Sequence, residues 1–147
     1  MGTPSGDDPI PTFGVFAHNH GRFVAESLQA IDTRRSAHGR VYDDGSTEGT
    51  REAIAGAVPD LLSRGYSVEL DLDGPSVAFV RSLCVFLDTV TTPYLLPLIG
   101  DHRYNLGGID LLKDAAERFP SADAIFGGRV RIDGDGPRPC LRLRPER

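Results

Sequence analysis

The chain has 147 residues, 39% of them hydrophobic and 25% charged, a composition typical of one globular domain. Its net charge of −5 argues against a nucleic-acid-binding protein, because such proteins usually carry a basic excess. Neither a G-x-x-x-x-G-K-[ST] phosphate loop nor a G-x-G-x-x-G dinucleotide fingerprint is present.

The cysteine content and the apolar runs bear on the compartment. Two cysteines are too few for a disulfide scaffold or a cysteine-ligated zinc site. Cys84 lies in an apolar run and is expected to be a small buried side chain. No signal-peptide pattern is found, and no apolar stretch approaches the roughly 18 residues that a membrane-spanning helix needs. We therefore expect a cytoplasmic protein without a transmembrane segment.

The chain opens with a strand, a polar loop and a helix. Residues 1–11 are rich in Gly, Pro, Ser and Asp and are expected to be a disordered lead-in. Strand propensity is high over 12–17. Apolar residues then recur at helical spacing from about 22 to 32, and a weaker strand follows over 38–42.

The second helix is expected to begin near Thr47, with Ser46 or Thr47 as its N-cap. Pro59 is expected to end or kink this helix, because proline lacks the backbone N–H. The same proline suits the first turn of a short following helix, which Gly65 would close.

The second half of the chain continues the alternation. Residues 66–72 alternate in polarity and predict a third strand. Residues 76–90 are apolar nearly all round, which predicts a helix buried on most sides. A fourth strand at 94–99, a helix around 112–119, a fifth strand from 124 to about 132 and a loose tail over 133–147 complete the chain.

This order predicts an α/β fold: a mainly parallel, Rossmann-like sheet with flanking helices, in one domain over residues 12–132. Ligands of such sheets bind beyond the carboxyl ends of the strands. Three polar clusters are expected there, at residues 18–20, 43–46 and 100–102.

The cluster at 43–46 places two carboxylates and a hydroxyl at the end of a strand. Asp43 and Asp44 could accept hydrogen bonds from a ribose hydroxyl or a base N–H. Alternatively, the segment is a strand-to-helix turn capped by its own Asp and Ser46.

The cluster at 100–102 contains a carboxylate followed by an imidazole. Asp101 could hold Mg²⁺ or Mn²⁺ for a phosphate-bearing substrate, and His102 tilts the choice toward Mn²⁺. The alternative is a solvated strand end.

Two further polar features have open interpretations. The His18-Asn19-His20 segment is a metal pair or, as we favour, a loop whose ring could stack on a base. Arg81 is the only charge between Ser76 and Leu87, and it either faces a phosphate or pairs with Asp88 or an acid of the carboxyl edge.

In combination, these segments resemble the family 2 glycosyltransferases with a GT-A fold. The segment from Phe16 through Leu28 resembles that family's opening PTYNH-x-x-F-L-x-x-x-L, and residues 41–50, VYDDGSTEGT, are similar to VVDDGSTDGT. Residues 90–101 resemble A-x-T-P-Y-V-x-x-L-D-A-D-D, which carries the DxD motif. The resemblance covers about residues 12–132.

The resemblance implies inverting, metal-assisted transfer of a sugar from a nucleotide diphosphate sugar to an acceptor hydroxyl. It places His18 against the base, Asp44 as an acceptor from the base and Asp43 close to ribose or base. Asn19 and Ser46 belong to the same binding motifs. Arg81 would face the diphosphate, and Asp101, with His102, would hold the Mg²⁺ or Mn²⁺.

The chain departs from the family pattern in two respects. Ile99 and Gly100 stand where the DxD has its first Asp and its middle residue. After Ile132 no acidic residue lies in a context that matches the catalytic base, so we expect a truncated nucleotide-sugar-binding half with an open edge. The alternatives are a non-catalytic module, a pseudoenzyme that works with a partner chain or as a homodimer, and, third, a nucleotidyltransferase.

Overall fold

The structure is a computed structural model, and it describes residues 11–33, 37–127, 130–133 and 136–139. Its main sheet has four parallel strands in the order β3-β2-β1-β4. They are β1 (Thr12–Ala17), β2 (His38–Asp43), β3 (Ser67–Asp71) and β4 (Leu95–Ile99). The expected α/β class, a Rossmann-like parallel sheet flanked by helices, is confirmed.

Four helices follow the strands in alternation. They are α1 (Val24–Gln29), α2 (Thr50–Ser63), α3 (Phe79–Thr89) and α4 (Gly108–Arg118). The first is shorter than the sequence pattern predicted. The strand order changes direction at β1, because β2 and β3 lie on one side of it and β4 on the other. In open α/β sheets a ligand crevice forms at such a switch point.

The alternation of β1 side chains divides the core between two faces of the sheet. Phe13, Val15 and Ala17 join a buried cluster with residues of α1 and α2. Phe16 points the other way and packs with Tyr42 of β2 and Phe86 of α3. The rings of Phe16 and Tyr42 stack with centroids 5.1 Å apart. Helices therefore cover both faces, as expected.

Helix α2 runs through Pro59, so the predicted break and second short helix are wrong. Ile54, Ala57 and Leu61 are buried on both sides of the proline, and this packing keeps the helix continuous across the missing N–H. The predicted N-cap is also wrong: the helix begins after Gly49, and residues 46–49 form the loop that precedes it.

Helix α3 is not buried on most sides, contrary to the expectation from its composition. Only Ser82 and Phe86 are buried, whereas Val80 is 68% exposed. One face of α3 packs on the sheet, and the side chains of its other face are exposed. Cys84 lies on that exposed side, so its predicted burial is wrong as well.

Strand β4 is an edge strand whose outward groups are partly occupied. Thr12 N–H donates to Tyr94 O and Gly100 N–H donates to Phe16 O, so the alternate residues Leu95, Pro97 and Ile99 direct their backbone groups away from β1. Proline has no N–H to offer. The Tyr104 hydroxyl donates to Pro97 O at 3.3 Å, and His102 N–H donates to Ile99 O at 2.8 Å.

A division between Ile109 and Asp110 separates two compact units of the chain. In the second unit, β5 (Val130–Asp133) pairs antiparallel with β6 (Gly136–Pro139) as a separate two-stranded sheet. The predicted start of a fifth strand at 124 is wrong, because residues 124–127 form no regular element. The predicted lead-in lies outside the described residues except for Pro11. The loose tail predicted over 133–147 is wrong at residues 136–139, which form β6, and beyond 139 it lies outside the described residues.

Candidate functional site at the carboxyl edge of the sheet

Asp43, the last residue of β2, is the most buried charged group at the carboxyl edge, where the four parallel strands end. Its side chain is 0% exposed. Ser46 donates to it twice, from its backbone N–H at 3.1 Å and from its hydroxyl. Arg51 Nε–H, in the first turn of α2, donates to Oδ2 at 2.8 Å. The buried carboxylate is therefore fully engaged by the turn and helix that follow it.

The ionisation of Asp43 follows from these contacts. Burial alone would raise the pKa of the Asp43 carboxyl, but the hydrogen bonds from Ser46 and Arg51 and the charge of Arg51 outweigh it and hold the pKa below its ordinary value. The hydrogen bond to Asp43 in turn raises the pKa of Arg51. Asp43 is thus a stable anion, suited to positioning its neighbours.

Asn19 connects the loop after β1 to the loop after β2. Its backbone, at a φ of 55°, donates its N–H to Ser46 Oγ at 2.8 Å, and its Oδ1 accepts from Thr47 N–H at 2.8 Å. His18 Nδ1–H donates to Asp44 O at 2.7 Å, which leaves Nε2 to accept from Asn19 Nδ2–H at 3.4 Å. The exposed His18 ring is therefore held in one orientation by two bonds.

The Asp44 carboxylate is hydrogen-bonded to a segment far along the chain rather than to its own turn. Its Oδ2 accepts from the Ser76 hydroxyl and from Ala78 N–H, each at 3.1 Å, and its Oδ1 accepts from Val77 N–H. These donors come from the segment between β3 and α3. By the resemblance, the Asp44 carboxylate would accept a hydrogen bond from the nucleobase. In this structure it accepts from the protein's own segment between β3 and α3 instead.

On the other side of β1, Gly100 joins the loops after β1 and β4. A Cβ at Gly100 would lie 2.8 Å from His20 Nδ1 and 3.1 Å from Ala17 Cβ, so no side chain fits there. Ser27 Oγ donates to Gly100 O at 2.8 Å. The residue that stands at the middle position of the DxD is therefore fixed by close packing against the loop after β1.

Asp101 and His102 follow directly on this junction. His102 Nε2 lies 3.7 Å from Asp101 Oδ1, and the Asp101 side chain is 45% exposed. Among the described residues no group of three or more His, Cys, Asp or Glu side chains could hold a metal ion. One carboxylate and one imidazole still fit Mg²⁺ or Mn²⁺, since such ions are commonly held by one or two carboxylates together with water and substrate phosphates.

A cleft of about 180 Å³ lies between the ends of β2 and β3 and the start of α3. Asp44, Asp71 and Val77 line it, together with Arg81. In the described part of the chain the Arg81 guanidinium makes no ion pair or hydrogen bond, so neither alternative partner, Asp88 or an acid of the edge, is seen with it. Its exposed charge is available to an anion in the cleft.

The structure thus brings His18, Asn19, Asp43, Asp44 and Ser46 into one hydrogen-bonded network, with Arg81 in the adjoining cleft. Asp101 and His102 lie at the end of β4 beyond Gly100. Sequence reasoning missed Arg51 and named His20 only as part of the loop after β1. A buried acid at the end of β2 needs a cationic partner, and Arg51 lies only eight residues on, so a search for that partner could have found it.

No family model matches the sequence, and no match was found among curated proteins. Within the ranges that the structure describes, no helix is long and apolar enough to cross a membrane.

Proposed function

We propose that this chain binds a nucleotide diphosphate sugar at the carboxyl edge of its sheet and acts as a family 2-like glycosyltransferase. The observation that carries the proposal is the network of Asn19, Ser46 and Asp43, which ties the loops after β1 and β2 together beside a cleft that contains Arg81. The motifs that resemble the family supply the residues of this network. Its position matches the general location of ligands in parallel α/β sheets.

In the proposed complex, the nucleoside lies against the His18 ring and the end of β2, and Arg81 binds the diphosphate. A planar guanidinium suits phosphate oxygens because it can donate two parallel hydrogen bonds. Asp101 and His102 would hold Mg²⁺ or Mn²⁺, which when bound would offset the negative charge of the leaving diphosphate.

Transfer with inversion forms a bond from the acceptor oxygen to the anomeric carbon as the bond from that carbon to the diphosphate breaks. The acceptor proton must pass to a base. We assign no catalytic base within the described residues. A non-catalytic module that works with a partner chain is therefore the second candidate.

Calorimetric titration with uridine diphosphate or thymidine diphosphate tests the binding step. We expect Asp44→Ala to weaken binding by about 1–3 kcal/mol, as for a lost hydrogen bond to a charged group. Asp88→Asn, an exposed acid on α3, is the matched control and should leave the affinity unchanged. Equal affinity of the wild type and Asp44→Ala would remove Asp44 from the site.

The metal assignment has its own test. Mn²⁺-dependent nucleotide binding should fall more in Asp101→Ala than in His102→Ala, because Mg²⁺ and Mn²⁺ favour oxygen ligands. A greater loss in the histidine variant would reverse the assignment. Metal-dependent release of the nucleoside diphosphate from its sugar would support the enzyme, whereas tight binding without release would support the module.

We also propose a cytoplasmic location. Cys84 is a free, exposed thiol, and such a thiol persists in a reducing compartment.

A further inference from the structure

The segment Ser76–Ala78, which we call the strap, connects β3 to α3 and is bound to Asp44. The Ser76 hydroxyl and the backbone N–H groups of Val77 and Ala78 all donate to this one carboxylate. Gly45 brings the two chains close: its φ is 70°, and a Cβ there would lie 3.0 Å from Ser76 N. The strap thus rests directly on the DDGS turn.

Apart from these bonds, Ala78 O accepts from the Arg81 and Ser82 N–H groups at the start of α3, at 3.0 and 3.3 Å. The side chains of Ser76, Val77 and Ala78 are all exposed, so the strap contributes nothing to the buried clusters. Ala78 has a φ of 68° and a ψ of 147°, a backbone region that is essentially restricted to glycine and strained for alanine. The bonds to Asp44 on one side and to the first turn of α3 on the other therefore hold Ala78 in this conformation.

We infer that the strap is a self-ligand that occupies Asp44 in the free protein and is displaced when a nucleotide binds. The inference rests on the proposed function, in which the same carboxylate accepts from the base. The strap's three donors already fill most of the roughly four acceptor positions of the carboxylate, so a nucleotide that bonds it through more than one group displaces strap donors. Release also relieves the strain at Ala78, which lowers the cost of the exchange.

Substitutions at two exposed positions of the strap should shift the competition between strap and nucleotide for Asp44 in opposite directions. Ser76→Ala removes one of the three donors and should tighten the binding of uridine diphosphate by up to about tenfold. Ala78→Gly relieves the backbone strain of the strap while it is bound to Asp44, so it stabilises that state. The binding of uridine diphosphate should therefore weaken by about threefold. Ser121→Ala and Ala124→Gly, both at exposed positions outside the strap, are the matched controls and should leave the affinity unchanged.

Amide hydrogen exchange reports on the strap itself. In the free wild type, the Val77 and Ala78 amides should be protected, and Ser76→Ala should speed their exchange. Saturating uridine diphosphate should speed it further, whereas a ligand that only adds contacts would slow it.

The outcomes separate this inference from the proposed function. Tight nucleotide binding with slower exchange at Val77 and Ala78, or with unchanged affinity in both strap variants, would overturn the inference and leave the proposed function standing. Absence of binding in every variant, with both amides still protected, would refute the proposed function. The strap would then be a fixed cap of α3, which would overturn the inference too.

Discussion

Replacing Asp43 with asparagine removes a charge but almost no volume from the carboxyl edge. Three donors converge on this side chain, two from Ser46 and one from Arg51. An asparagine oxygen at the Oδ2 position keeps the Ser46 N–H and the Arg51 Nε–H. Its amide nitrogen must then donate to Ser46 Oγ, which already accepts from Asn19 N–H.

The expected loss follows from these three bonds. Two of them become neutral acceptor bonds and lose roughly 1 kcal/mol each, the difference between charged and uncharged hydrogen bonds. The third must reverse its direction, so the total loss in the free energy of unfolding is about 2–3 kcal/mol at pH 7. A domain of this size has about 5–15 kcal/mol of stability, so the variant should still fold.

Urea denaturation followed by circular dichroism measures this loss, and its pH dependence is the sharper test. The pKa of Asp43 is lower in the folded protein than its ordinary value of 3.8. The carboxylate therefore stabilises the fold above that pH, and the contribution disappears as the pH falls through the folded-state pKa. The difference between wild type and Asp43→Asn should be full at neutral pH and shrink in acid.

Asp88→Asn, an exposed acid on α3, is the control and should change stability by no more than about 0.5 kcal/mol at any of these pH values. A loss in Asp43→Asn that is equally small, or one that is the same at pH 7 and in acid, would refute the role given to this carboxylate.

Substitutions at two further sites, Gly100 and Asn19, test the junctions between loops. Gly100→Ala should destabilise the fold by about 1–3 kcal/mol in urea denaturation, because its Cβ would overlap His20. The control Gly56→Ala lies at an open helical position and should not destabilise the fold. Equal stability of the two variants would contradict the close packing at Gly100. Asn19→Gly permits the left-handed backbone but loses the bond to Thr47 N–H, so it should cost about 1 kcal/mol. Asn19→Ala should cost more, because alanine disfavours that backbone as well; the reverse order would show that the φ of Asn19 carries no strain.

The sheet could be predicted from local pattern because each strand carries its own signal. Strand propensity, apolar runs and, for β3, alternating polarity marked the four strands, and the parallel order then placed the polar clusters at one edge. Helix α3 shows what the local pattern does not predict, which is how much of a helix is buried. Its apolar residues indicate what the helix could bury, but not whether a second layer exists to cover Val80 or Cys84.

The contacts of the candidate site likewise include local ones, which the sequence predicts, and distant ones, which it does not. The capped turn formed by Asp43 and Ser46 spans four residues, so the local sequence is enough to predict it. The partners of Asp44 lie 32 to 34 residues further on, and no local pattern links them. The bond between Ser27 and Gly100 spans 73 residues and likewise depends on the folded chain.

The occupied backbone groups of β4 bear on how readily a second chain could pair with this edge of the sheet. An incoming strand would meet a missing donor at Pro97 and carbonyls at Pro97 and Ile99 that are already hydrogen-bonded. Exposed sheet edges are common templates for intermolecular β-pairing, and natural proteins block them with proline and with competing hydrogen bonds. Copies of this chain would thus gain fewer backbone hydrogen bonds by pairing at β4 than an unblocked edge would offer, and β3, the other edge strand of the sheet, is the alternative place for such pairing.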